Sequence, residues 1–416
     1  MRFFLYILNY VGKHLFTYII VYIIMHKYQN TIAHIDADAF FASCELARNP
    51  HLKGKAVMVS GKLNSCVLAK SPEAKKLGVT TAMPVWDAKK LCPNGIFIHC
   101  DMRYYTTMSR KMMAIFCEWS PVVEVYSIDE AFVDMNGLRG MYRKSFDQIG
   151  DKIREQIKNE IGITVSVGVS TNKTLAKMAC ELNKPDATTT ISAKKIDDFL
   201  AKIPVTDIPG VGFSRGELLK KYKVKTCLEF AKKSQDFVQR LFGKMGVLLW
   251  RELHGEISFP LLSDPPPPKS IGRTSSFEKP VSNLRLVEGL AFFHLERALN
   301  ALYRHRLIVC EITLHLRSKN FQIYGIPYRF PKPTSDFFKI SKALKSLISQ
   351  VPSGQIWRSV GVILTKLSDG KNLQFDLFEG VEKTLSSDKI NDAKSDLNKR
   401  YGDLTVRSGS TLFLDG

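Results

Sequence analysis

Four consecutive prolines at 265–268 constrain this chain more than any other feature. Proline fixes φ and lacks a backbone N–H, so the run joins neither a helix interior nor a sheet ladder and stands as a stiff, extended spacer. A 416-residue chain interrupted there folds as at least two modules, each long enough to bury its own core. Hydrophobic residues at 45% and charged residues at 24% exclude a largely disordered chain. The 60 Lys and Arg against 40 Asp and Glu leave a net charge of +20, which points to a polyanionic partner, either nucleic acid or an anionic membrane surface. Residues 270–370 hold 15 Lys and Arg against 6 Asp and Glu, so part of the polyanion site lies in the module after the prolines.

Cys44, Cys66, Cys92, Cys100, Cys117, Cys180, Cys227 and Cys310 form no CxxC pair. They fit a reducing cytosol better than a zinc ribbon or a disulfide framework. The apolar N-terminal stretch is broken by Asn9, Lys13 and His14, and its uninterrupted part, 15–25, is too short to span a bilayer. No small-residue cleavage site follows, which argues against a secretory signal. Translation is expected to begin at Met25, with a membrane anchor as the lesser alternative.

Residues 31–36 (TIAHID) read as a buried strand leading into a helix over 38–48. A helix is expected over 102–119, ending before Pro121, and an amphipathic one over 145–161. Two strands at 122–126 and 131–135 are joined through Ser127-Ile128-Asp129-Glu130. In 164–170, Val165, Val167 and Val169 share one face of a strand, and another helix starts at Lys173. Lys-rich helical segments run from about 195 to 255. Beyond the prolines, Ile312, Leu314 and Leu316 alternate with polar residues in a half-buried strand.

Three acids stand where these strands end: Asp36, Asp129 and Glu130. Neighbours on a regular strand face opposite sides, so Asp129 and Glu130 serve one site only if the chain turns or bulges there. With Asp36 on an adjacent strand, the three would form a hard-oxygen cluster suited to Mg²⁺, and two such ions assist phosphoryl displacement. Asp38 is read as a supporting or capping residue and Asp134 as a structural strand-end residue.

IDADAFFASCE (35–45), YSIDEAF (126–132), VSVGVSTNKTLAKMA (165–179), NKP (183–185) and IPGVG (208–212) occur in an order that resembles Y-family DNA polymerases, most closely their DNA polymerase IV branch. The resemblance runs from about residue 31 to the C-terminus. It implies a multidomain α/β right hand: palm at 31–47 and 100–192, fingers at 48–99, helical thumb at 193–255, a Pro-rich linker at 256–269 and a little finger at 270–370. Residues 1–30 are an extension of uncertain status, and 371–416 form a tail.

By the same resemblance, Asp36, Asp129 and Glu130 are catalytic metal ligands with the Ala37 carbonyl, holding two Mg²⁺, with Mn²⁺ as a substitute. Phe41 matches the steric gate that rejects a 2′-hydroxyl, and the Phe40 backbone approaches the triphosphate. The finger motif that holds the triphosphate through Thr, Tyr and Arg departs here: Ala69, Pro72 and Lys75 stand at those positions. Lys75 keeps the charge without the bidentate fork, and Lys184 in NKP is the stronger phosphate contact.

The IPGVG segment before a basic helix reads as a helix-hairpin-helix whose Gly210 and Gly212 let the backbone approach a DNA phosphate. Lys220, Lys221, Lys223 and Lys225 add charge. Arg273, Arg317, Lys319 and Arg358 are candidate DNA-phosphate contacts in the basic module. Gln374, Asp376, Leu377 and Phe378 resemble the short peptide that docks on the bacterial sliding clamp.

The implied function is error-prone translesion synthesis by a cytoplasmic monomer without proofreading, acting on primer-template DNA and dNTPs in damage tolerance and repair. The rival readings are a catalytically lapsed DNA-binding protein and a palm-type nucleotidyl cyclase.

Overall fold

The computed structural model describes residues 30–61 and 66–370, with a few further positions between 393 and 409. It divides into two compact units, and the boundary falls between Pro265 and Pro266, inside the proline tract. Both units are mixed α and β, the class expected.

In the first unit, β1 (Ile32–Ala37) precedes a small sheet of β2 (Val57–Ser60), β3 (Val67–Lys70) and β4 (Ile96–His99), ordered β3-β2-β4. β5 (Val123–Val125), β6 (Glu130–Asp134), β7 (Val165–Ser170) and β8 (Thr188–Thr190) then join β1 in a five-stranded sheet ordered β5-β6-β1-β7-β8. β1 is central and antiparallel to both β6 and β7.

Alternation gives this sheet two chemically different faces. Ala33, Ile35 and Ala131 share one face with Val165, Val167 and Val169, all buried in the core formed with helices Met102–Trp119 and Phe146–Ile161. Asp101 caps the first helix by accepting the Tyr104 N–H, and Ser145 caps the second in a reciprocal capping box with Gln148. The opposite face carries His34 and Asp36 and is crossed by helix Lys173–Leu182, whose N-cap is Asn172.

That helix lies close to the sheet because Gly168 has no side chain. A Cβ there would fall 2.1 Å from the Ala176 carbonyl oxygen and 2.2 Å from the Cys180 nitrogen, both backbone atoms that cannot rotate aside. Gly168→Ala is therefore expected to destabilise the first unit by about 3 kcal/mol or more. Urea unfolding measures this, and an unchanged midpoint would refute the close approach.

Two sequence expectations shift. The first helix begins at Phe40 rather than at Asp38, because Ala39 takes the left-handed conformation (φ 48°) and the Asp38 carboxylate is engaged elsewhere. Glu130 opens β6 instead of belonging to the turn, which leaves Asp129 as the last turn residue. Beyond β8, helices Ile196–Leu200, Phe213–Lys221, Cys227–Ala231 and Gln235–Leu253 surround a core that includes Leu219, Val224, Phe230 and Val238.

The second unit is a four-stranded antiparallel sheet of β9 (Ser270–Val281), β10 (Leu307–Ser318), β11 (Ile323–Thr334) and β12 (Trp357–Asp369), ordered β11-β10-β12-β9. Ile312, Leu314 and Leu316 of β10 are buried with helices Leu284–Arg304 and Phe337–Ile348. Thr313, His315 and Arg317 alternate onto the other face. No helix among the described residues is long and apolar enough to cross a membrane. Residues 1–29 lie outside the described residues, and so does the expectation about Met25.

Candidate active site

Register brings the acids together. Asp36 of β1 stands directly opposite Glu130 of β6, so both side chains leave the same sheet face. Asp129 is placed by the turn: its carbonyl accepts the Ala37 N–H at 2.9 Å, which holds it beside the end of β1. Because Asp129 precedes the strand, it is free of strand alternation, and neighbouring acids serve one end of one sheet. Asp36, Ala37 and Asp129 line a cleft of about 240 Å³, together with Phe40 and Phe41. Its facing wall is Leu68, Ala69 and Lys70 of β3, with Thr81.

Helix Lys173–Leu182 supplies the counter-charges. Lys184, just past its end, places Nζ 2.8 Å from Asp36 Oδ1, and Lys177 pairs with Glu130. Burial pushes the Asp36 carboxyl up to about 6; the Lys184 ammonium opposes this and the charge of Asp129 adds to it. Burial also acts to raise Glu130, but the hydrogen bond from His34 (2.7 Å) and the Lys177 ammonium outweigh it and hold this carboxyl down at about 2. Burial lowers the pKa of His34, and its hydrogen bond with Glu130 opposes this.

One ligand atom from each of His34, Asp36 and Glu130 falls within 4.8 Å of the others. Two part-buried carboxylates line the cleft, and one of them is pushed toward protonation by its surroundings. A divalent cation would balance that charge, and the oxygen donors suit Mg²⁺ or Mn²⁺. The residues present therefore fit such ions.

Asp38 is structural, as expected. It accepts from Ser166 Oγ at 2.7 Å and from the Asp186 N–H at 2.9 Å, tying β1 to β7 and to the loop that carries Lys184. Arg154 (3.2 Å) and Lys158 (3.1 Å) secure the same loop through the Asp186 carboxylate. Asp134 accepts from the Asn136 N–H at the end of β6, also as expected. Phe41 stacks on Tyr105, with centroids 4.6 Å apart and planes 16° from parallel. The Tyr105 hydroxyl donates to Glu45 Oε1 at 2.9 Å, so the ring behind Phe41 is fixed.

Lys75 is exposed on the short helix Pro72–Lys76, outside the residues that line the cleft, whereas Lys70 is among them. Strand β3 ends at Lys70 and aims it inward, while the following helix turns Lys75 out. Gly210 has φ +89°, a conformation that favours glycine, and Gly212 is the N-cap of helix Phe213–Lys221. Lys220, Lys221, Lys223 and Lys225 are all exposed.

In the second unit, Arg317 stands on the face opposite the helices, and Lys319 and Arg358 are exposed, with Arg358 stacked over Phe321. Arg273, the remaining candidate, does not share the face of Arg317. Its partner in register is Val362, a core residue, so it leaves β9 on the helix-covered side with Ile271. Gln374, Asp376, Leu377 and Phe378 lie outside the described residues.

Sequence reasoning missed His34, Lys70, Thr81, Ser166 and Lys177. Two of them carried a usable signal: His34 lies two residues before Asp36 on the same strand face, and Lys177 lies one turn after Lys173.

The impB/mucB/samB family model matches residues 35–181, and that family's C-terminal domain model matches residues 268–377. The chain is 32% identical over 387 residues to the DNA polymerase IV of Desulfatibacillum aliphaticivorans, covering 92% of this chain and 97% of that protein. It is 31% identical to DNA polymerase IV 2 of Methanosarcina mazei, over 81% of this chain and 92% of that protein. Among solved structures, the Y-family DNA polymerase chimera Dbh-Dpo4-Dbh superposes with a TM-score of 0.69 at 25% identity, covering 82% of this chain and 99% of the chimera. The chain belongs to the Y family of DNA polymerases, on the DNA polymerase IV branch, and is a DNA-directed DNA polymerase.

Proposed function

We propose that this chain is a template-directed, error-prone translesion polymerase that adds dNTPs to a primer 3′ end without proofreading. The observation that supports this reading is that Asp36, which stands opposite Glu130 in the first unit's sheet, lines one cleft with Asp129 and Phe41. In this reading residues 31–47 and 100–192 act as palm, 48–99 as fingers, 193–255 as thumb and 270–370 as little finger.

Asp36, Asp129, Glu130 and the Ala37 carbonyl would hold two Mg²⁺. When bound, these ions supply the positive charge that stabilises the attacking and leaving oxygens of the phosphoryl displacement. The protein's own groups do the rest. Lys184 lies where it can hold phosphate oxygens next to Asp36, and Phe41 leaves no room for a 2′-hydroxyl. The Gly210–Gly212 backbone and the basic faces grip DNA phosphates without reading bases, as an enzyme copying any sequence requires.

Small fingers and an open site, which the family resemblance implies, would admit distorted templates, which suits damage tolerance and repair in the cytoplasm. Primer extension on intact and lesion-bearing templates, with and without Mg²⁺, tests the reading. Failure of the wild-type chain to extend either template would sink it.

Low processivity would be offset by the sliding clamp, held by Gln374, Asp376, Leu377 and Phe378 of an otherwise monomeric enzyme. Deleting 374–378 is expected to abolish stimulation by added clamp and leave basal extension intact. Undiminished stimulation would remove the peptide from the interface.

A further inference from the structure

We propose that Lys70 is a second cation, besides Lys184, that binds the triphosphate of the incoming nucleotide, with Thr81 as its partner; this deepens the polymerase reading and rests on it. Lys70 ends β3, where its antiparallel partner is Met58 of β2, and it lines the cleft opposite Asp36 and Asp129. In the polymerase reading those acids are taken up with their divalent ions, so a positive charge on the facing wall would give the triphosphate a contact of its own. Among the described residues that line the cleft, Lys70 is the one cation.

Its ammonium has a neutral partner on the same wall: Nζ donates to Thr81 Oγ1 at 2.9 Å. Thr81 accepts this bond and keeps its own hydroxyl hydrogen, which can donate to a second phosphate oxygen. The pair therefore presents a charge-assisted donor and a neutral donor side by side, a good match for adjacent phosphates.

The surroundings of Lys70 favour an anion there. Part burial lowers its pKa, and the nearby charge of Lys75 lowers it further. A phosphate at Nζ would relieve both effects. Lys75 itself is exposed on the short helix beyond, so its contribution is through-space charge and not contact. The wall that carries Ala69, Pro72 and Lys75 in place of Thr, Tyr and Arg thus retains one cation and one hydroxyl aimed at the cleft.

The test is binding of the complementary dNTP to the chain on a primer-template ending in a 3′-dideoxynucleotide, where no bond can form, read by the fluorescence of a labelled template base. Lys70→Gln is expected to weaken dNTP binding roughly tenfold to hundredfold, the effect of losing a charge-assisted hydrogen bond. Lys70→Arg should recover most of it, and Lys75→Gln should lose no more than about threefold, as befits a charge acting at a distance through water. The loss should be confined to the triphosphate: binding of the corresponding deoxynucleoside monophosphate stays near the wild-type value.

A Lys70→Gln protein with an unchanged melting temperature and undiminished dNTP affinity overturns the assignment. So does a loss that appears in Lys75→Gln instead. If the wild-type chain neither binds nor incorporates dNTP, the polymerase reading fails and this proposal falls with it, a result distinct from the other two.

Discussion

Replacing Asp129 by alanine is expected to slow primer extension by a factor on the order of a thousand or more, the scale on which a preorganised charge at a transition state contributes. Asp129 shares the cleft with Asp36, and its carboxylate is supplied by a turn whose backbone is anchored to Ala37. Removing the side chain leaves that backbone bond in place, so the fold should survive and the loss should be chemical. Single-turnover extension measures it, with melting temperature and primer-template affinity as controls. A variant that keeps its rate to within about tenfold would show that Asp129 holds no ion needed in the transition state.

Phe41→Ala is the second large effect. Incorporation of ribonucleotides should rise on the order of a hundredfold, with dNTP incorporation much less affected, because in the proposed reading the ring discriminates by overlap rather than attraction. The ring is backed by a fixed neighbour that would resist its yielding: Phe41 stacks on Tyr105, and Tyr105 is hydrogen-bonded to the buried Glu45. Competition between rUTP and dTTP on one template measures the ratio. Unchanged rejection of the ribonucleotide would contradict the assignment of Phe41 to the gate.

Local patterns were readable and cross-strand relations were not. The helix Met102–Trp119 has the limits its apolar spacing and Pro121 require, and Val165, Val167 and Val169 are buried on one face as their alternation demands. Asp36, Asp129 and Glu130 were legible as strand-end acids. How two adjacent ones could share a site depends on where β6 begins, and that is set by pairing with β1 rather than by neighbours in sequence.

The same limit explains Lys70 and Arg273. Residues 68–79 resemble the family's finger motif in sequence, but strand β3 ends at Lys70 and the next helix carries Lys75 outward, so the charge that lines the cleft lies five residues earlier. Arg273 sits in a basic strand like any DNA contact. Only its register against Val362 reveals that it leaves the sheet toward the helices.

The missing side chain at Gly168 has a consequence for charge as well as for shape. Lys177 rides on the helix that Gly168 admits, and Lys184 follows directly from its end, each lying over a different acid of the sheet. The height of that helix above the strands therefore sets both ion pairs at once. A chain drifting under mutation could not raise the helix to accommodate a bulkier neighbour without loosening Asp36 and Glu130 together, so one hydrogen atom in place of a methyl group keeps the electrostatic calibration of the catalytic end.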